Sequence, residues 1–78
     1  ILGDLSAASD YFRRSIQAAR DLGSPAMEAS ALNGFAELHR GEGRLSEARP
    51  LYATALERAQ QAGDRISAAI MANNLAMT

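Results

Sequence analysis

Between residues 43 and 63 the apolar positions Leu45, Ala48, Leu51, Tyr52, Ala55, Leu56 and Ala59 recur at steps of three and four. That spacing lines all seven along one stripe of an α-helix. Glycines bracket the stretch, and Gly63 is free to take the left-handed conformation that closes a helix. Ser46 reads as the N-cap, its hydroxyl accepting from a first-turn amide. Pro50 would then be the fourth helical residue, where it removes only the first intrahelical bond.

A shift of 40 residues reproduces the pattern. The stripe returns as Leu5, Ala8, Tyr11, Phe12, Ser15, Ile16 and Ala19, and the punctuation returns with it. Gly3 pairs with Gly43, Ser6 with Ser46 and Gly23 with Gly63, while Ala29, Asn33 and Ala36 match Ala69, Asn73 and Ala76. Nine of the 38 overlapping positions are identical, all at stripe, cap or packing positions except the asparagines. A period between about 20 and 50 residues signals a solenoid whose units bury their apolar faces on one another.

In chain order, Ile1 and Leu2 read as the tail of an earlier helix and Gly3-Asp4 as a turn. A helix follows over about 5–22, ended by Gly23. Ser24-Pro25 starts the next, with serine as cap and proline in the first turn, and it runs to about residue 40. Gly41-Glu42-Gly43 turns into a helix over about 46–62, and Gly63-Asp64 into a fourth from about 65 to 78. No segment alternates at period two, so no strands are expected. The expected fold is all-α: about four helices in antiparallel helix–turn–helix repeats, stacked as a solenoid. A chain that opens in a loop and stops in a helix reads as a piece of a longer one.

The helix over 25–40 has two unlike faces. At about 100° per residue, Ala29, Ala31, Leu32, Phe35, Ala36, Leu38 and His39 fill an arc of roughly 180°. Ser30, Asn33, Gly34, Glu37, Arg40 and Gly41 fill the narrower remainder, which is the part left for solvent or a ligand. Glu28 is the misfit, an acid on the apolar side, read as reaching solvent or favouring the positive end of the helix.

Composition narrows the function. A 78-residue chain builds a marginal core, and without cysteine it has neither disulfides nor thiolate metal sites. There is no signal-like segment and no apolar run near the roughly 18 residues a membrane span needs. Net charge is −1 with interspersed signs, unlike the basic footprint of a nucleic-acid binder. Arg13, Arg14 and Arg20 share one helix, but Asp10 lies three and four residues before the first two and favours local ion pairs. All eight basic residues are arginine and seventeen residues are alanine, a bias typical of a GC-rich genome. Catalysis needs a nucleophile with its base, paired carboxylates or clustered ligands. The lone His39 sits on the apolar arc, and His39 with Glu42 would give a metal only two ligands. Gly41-Glu42-Gly43 lacks the lysine and further glycines of a phosphate loop. No enzyme, metal or cofactor is expected.

The segment over 29–59, ASALNGFAELHRGEGRLSEARPLYATALERA, resembles the tetratricopeptide repeat. Leu32, Phe35 and Ala36 mark the first helix, Gly43 the turn, Glu47-Ala48 the opening of the second helix, and Tyr52, Ala55 and Leu56 its length. On this resemblance the chain divides into the second helix of one repeat (about 5–22), a full repeat (about 25–62) and the first helix of the next (about 65–78). The departures are a period of forty rather than thirty-four, Leu32 and Ala72 where an early aromatic is usual, His39 where tyrosine is frequent, and no closing proline. The longer period, the EARPLY wording and Asn73-Asn74-Leu75-Ala76 are similar to the kinesin-light-chain-like subclass, which also supplies sensor regions of bacterial regulators.

The resemblance implies a right-handed superhelix whose first helices line a concave groove for a protein or peptide segment. Carried over position by position, Ser30, Asn33, Gly34, Glu37 and Arg40 would line that groove, with Asn73, Asn74 and Met77 from the next repeat. An amide side chain offers a peptide backbone both donor and acceptor, although Gly34 interrupts the amide row that Asn74 keeps. The implied setting is a cytoplasmic regulatory or signalling protein of bacterial origin. The alternative is a structural module that self-associates through repeat ends, because Met71, Leu75 and Met77 on the last helix lack a partner. A nucleic-acid-binding helical repeat comes third.

Overall fold

The computed structural model describes residues 2–78 as four α-helices: α1 (Leu2–Asp21), α2 (Pro25–Gly41), α3 (Leu45–Gln61) and α4 (Arg65–Ala76). Ile1 lies outside the described residues. Among those described there is no strand, and the fold is an all-α helical repeat. Each helix packs on the one before and the one after it. This up-and-down path puts α2 and α4 in one layer and α1 and α3 in the other, in a slab measuring 37 × 29 × 16 Å.

The turns recur every twenty residues, at half the sequence period, and are built alike. Gly23, Gly43 and Gly63 have φ of 67°, 77° and 71°, the left-handed region that a side chain rarely tolerates. Each glycine amide donates three residues back, to Arg20, Arg40 and Gln60, at 3.0 Å in all three turns. The following amide donates five residues back: Ser24 to Ala19, Arg44 to His39 and Asp64 to Ala59, at 2.9–3.1 Å. The free carbonyls of the last turn are thereby satisfied. The residue that completes this bond is also the N-cap of the next helix, so one compact turn both ends a helix and starts another.

That geometry corrects two expectations about α3. Its N-cap is Arg44, not Ser46, which lies inside the helix. Pro50 is consequently the sixth helical residue, and its missing amide leaves the Ser46 carbonyl without an intrahelical donor. Ser24 and Asp64 cap properly, accepting from Met27 N at 3.2 Å and Ser67 N at 3.0 Å, whereas Arg44 makes no side-chain cap bond. Glu47 already stands three residues on, so Arg44→Ser would create a capping box. That change is expected to stabilise the chain by about 1 kcal/mol, read as a higher urea midpoint; an unchanged or lower midpoint would mean the cap site is already satisfied. The Gly3-Asp4 turn is corrected as well, since α1 runs through both residues.

The core follows the stripes. Ile16, Ala29, Leu32, Phe35, Ala55, Ala59 and Met71 form one buried cluster, with Phe12, Leu38 and Leu51 packed against it. Ala36, Ala48 and Tyr52 form a second beneath Leu75. Alanine at the tightest contacts lets helix axes approach closely. Among the described residues no helix is long and apolar enough to cross a membrane.

Glu28 is not on the surface. It is 6% exposed, and its Oε2 accepts from Arg20 Nε of α1 at 3.0 Å and lies 3.3 Å from Arg58 Nε of α3. One carboxylate on α2 therefore ties together three helices. Burial pushes the Glu28 carboxyl up, but hydrogen bonds and charge from Arg20 and Arg58 outweigh it and hold the group below its ordinary value.

Candidate protein-binding face

On the open side of the α2–α4 layer, four of the sequence-derived site residues form one bonded chain. Asn74 Nδ2 of α4 donates to Asn33 Oδ1 of α2 at 3.2 Å. Asn33 Nδ2 in turn approaches Glu37 Oε1 at 3.4 Å, and Arg40 Nη2 donates to Glu37 Oε2 at 3.1 Å. Asn33, Glu37 and Arg40 are three or four residues apart, so α2 presents them on successive turns of one face. Asn74 reaches them because α3 returns the chain and sets α4 beside α2. The link between the asparagines joins residues 41 apart in sequence.

Beneath this row lies Tyr52. It is fully buried, and the Arg40 guanidinium carbon stands 5.8 Å from its ring centroid. Burial pushes its phenol above the ordinary value, Arg40 opposes that and Glu37 adds to it. Its hydroxyl has no hydrogen-bond partner among the described residues. Glu37 and Arg40 neutralise one another, so the row is close to neutral and offers chiefly amide donors and acceptors. Such a surface suits an uncharged hydrogen-bonding partner such as an extended peptide backbone.

The remaining site residues go elsewhere. Ser30 is exposed and lines a groove of about 540 Å³ between α1 and α2, together with Tyr11, Phe12, Ser15 and Met27. Gly34 sits against α1: a Cβ there would lie 2.6 Å from Phe12 Cε1, so this position holds two helices close rather than interrupting an amide row. Asn73 and Met77 are exposed, and Asn73 Nδ2 lies 3.6 Å from Met77 Sδ. Of the eight residues the sequence groups as one groove, four are thus linked into a single polar row. Sequence reasoning missed Tyr52, which lies under the row, and Phe12, which fills the space beside Gly34, because both fall on regular apolar stripes.

His39 is half-buried, with its ring 4.8 Å from that of Phe35 and its Nδ1 3.8 Å from a Glu47 carboxylate oxygen. Among the described residues no three His, Cys, Asp or Glu side chains come together as a metal site would require.

Antiparallel helix pairs repeating every 40 residues and closed by equivalent glycine turns define an α-helical repeat scaffold. Sequence comparison is more specific: the family model of the tetratricopeptide repeat matches residues 27–78, two thirds of the chain. The protein belongs to the tetratricopeptide repeat family, whose members are generally non-catalytic scaffolds for protein–protein interaction. No curated protein matches the chain, and no solved structure does.

Proposed function

We propose that the chain is a recognition segment that holds an extended peptide or protein segment along the Asn33–Glu37–Arg40–Asn74 row, with Ser30, Gly34, Asn73 and Met77 at its margins. The observation that carries this reading is the amide bridge from Asn74 to Asn33. It joins two repeats into one continuous polar row on an open face, instead of leaving each side chain separately solvated. In this reading 5–22 is the second helix of one repeat, 25–62 a full repeat and 65–78 the first helix of the next. The 40-residue period and the EARPLY and Asn73-Asn74 wording support a kinesin-light-chain-like subclass. The parent is then a bacterial cytoplasmic protein of regulatory or signalling type.

The test is selection of random twelve-residue peptides on the intact chain, followed by amide chemical-shift mapping of one enriched peptide. Shifts confined to the α2–α4 polar face, and binding weakened about tenfold or more by Asn33→Ala, are expected; a lost hydrogen bond to a buried partner costs enough for that. Peptides that bind the Asn33→Ala chain equally well, or that map to α1 and α3, would remove the proposal.

A further inference from the structure

Under the 40-residue shift Tyr52 corresponds to Phe12, so the two equivalent positions differ by one hydroxyl. Both rings sit on the apolar stripe of their helix. Phe12 stacks on Phe35 of α2, and Tyr52 packs with Ala36 of α2 and Ala48 of α3, with Leu75 of α4 against them. A bare phenyl ring fills the position on α1, so packing alone does not call for a hydroxyl. A buried phenol ordinarily finds a hydrogen-bond partner. That of Tyr52 is shielded from solvent and has no partner among the described residues. The folded chain therefore gives up the hydration of one donor without gaining a bond in return.

We propose that the Tyr52 hydroxyl is a register-setting donor at the floor of the polar row, taken up by a main-chain carbonyl of the bound segment. This rests on the peptide-binding reading of that row. The Arg40 guanidinium carbon stands 5.8 Å from the Tyr52 ring centroid, and the charges of Arg40 and Glu37 both act on the phenol. The cover above it is light. Arg40 Nη2 meets Glu37 Oε2 at 3.1 Å, and the two side chains are 32% and 48% exposed. A pair of this surface kind yields readily to a competing partner, and drawing Arg40 aside opens the hydroxyl to the row. The phenol O–H donates, so what it takes up is an acceptor, and Glu37 selects which. A carboxylate entering here would face the Glu37 carboxylate as a like charge, whereas a neutral carbonyl oxygen would not. In an extended segment successive residues point to opposite sides, so one fixed donor selects every second carbonyl and sets the register. The bond forms only in the complex. The donor left unused in the free chain therefore adds its value to binding and not to folding.

Tyr52→Phe tests this, because it removes the hydroxyl and keeps the ring. The melting temperature of the free chain should stay the same or rise, since only an unused donor is lost. Binding of a twelve-residue peptide enriched on the wild-type chain, and mapped to the α2–α4 polar face, should weaken about tenfold or more. Replacing the backbone amides of that peptide one at a time by esters, whose carbonyls are poorer acceptors, identifies the bonded group. One position should weaken binding to wild type and have no effect on binding to Tyr52→Phe. A melting temperature lower by more than about 5 °C would mean that the hydroxyl is already bonded in the free chain. That result, peptide binding equal to wild type, or no ester position coupled to Tyr52 would each overturn the proposal. If Asn33→Ala still weakens binding in those cases, the polar row stands as the binding site and only the role of the hydroxyl falls. If no enriched peptide maps to the polar face, the two fall together.

Discussion

Glu28→Gln is expected to lower the stability of this chain by about 2–3 kcal/mol. Removing one member of a buried ion pair typically costs about 3–5 kcal/mol, because the charge left behind is desolvated and unpaired. Here the partners are wetter than the carboxylate: the Arg20 side chain is 51% exposed and that of Arg58 is 28% exposed. Water recovers part of their loss, which brings the estimate to the bottom of that range and below it. For a domain of this size the change corresponds to a fall of about 10–20 °C in melting temperature. Asp10→Asn is the matched control, since its pair with Arg14 spans 3.0 Å but both side chains are more than half exposed. That variant should shift stability by less than about 0.5 kcal/mol. Equal effects from the two would mean that the Glu28 clasp is no more than a surface pair.

Acid should erase the difference. The Glu28 carboxyl is held below the ordinary value of 4.5 in the folded chain, so the folded state binds this proton less readily than the unfolded state. Its contribution is fully present above about pH 4.5 and is lost as pH falls through the folded value. Asp64 shifts in the same direction, held down first by the Ser67 amide and then by its hydroxyl. Urea unfolding at pH 7, 5, 4 and 3 should therefore show wild type and Glu28→Gln converging as the pH drops. A gap that stays constant to pH 3 would assign the loss to packing instead of charge.

The contrast between α3 and Glu28 shows where the sequence was readable. The stripes of α1 and α3 and the glycines at 23, 43 and 63 needed only local rules: helical periodicity and the conformational freedom of glycine. The α3 cap was misread because capping preference favours serine, while the start of the helix is set by the glycine turn before it. That turn gives the cap position to whichever residue follows Gly43, even an arginine. Glu28 was misread for a different reason. A wheel drawn on α2 cannot see Arg20 and Arg58, which arrive on two other helices, although an acid on an apolar arc does demand cationic partners from somewhere. The Asn33–Asn74 bridge has the same character. Each asparagine was legible as a polar position, but their meeting depends on how α3 lays α4 beside α2. Met71 and Leu75 were expected to lack a partner, yet Met71 is buried and Leu75 half-buried against Tyr52 of α3; which side of α4 meets α3 is not given by periodicity alone.

Gly34 supplies the second large expected effect. Without a side chain it looked like a gap on the polar arc of α2, yet the ring of Phe12 fills the space where its Cβ would stand, at 2.6 and 3.0 Å. Phe12 cannot move freely, because its ring is stacked 5.9 Å from Phe35 and lies edge-on 5.3 Å from Tyr11. Gly34→Leu should gain up to about 1 kcal/mol of helix propensity and lose about 3 kcal/mol to overpacking. The net effect is a destabilisation of about 2 kcal/mol, concentrated at the α1–α2 contact. Shortening the obstacle supplies the decisive comparison. In a Phe12→Ala background the same Gly34→Leu change should be neutral or stabilising, a coupling of about 2 kcal/mol between neighbouring side chains. If Gly34→Leu costs the same in both backgrounds, the glycine is not there to admit Phe12, and its place on the polar arc would again belong to the binding face.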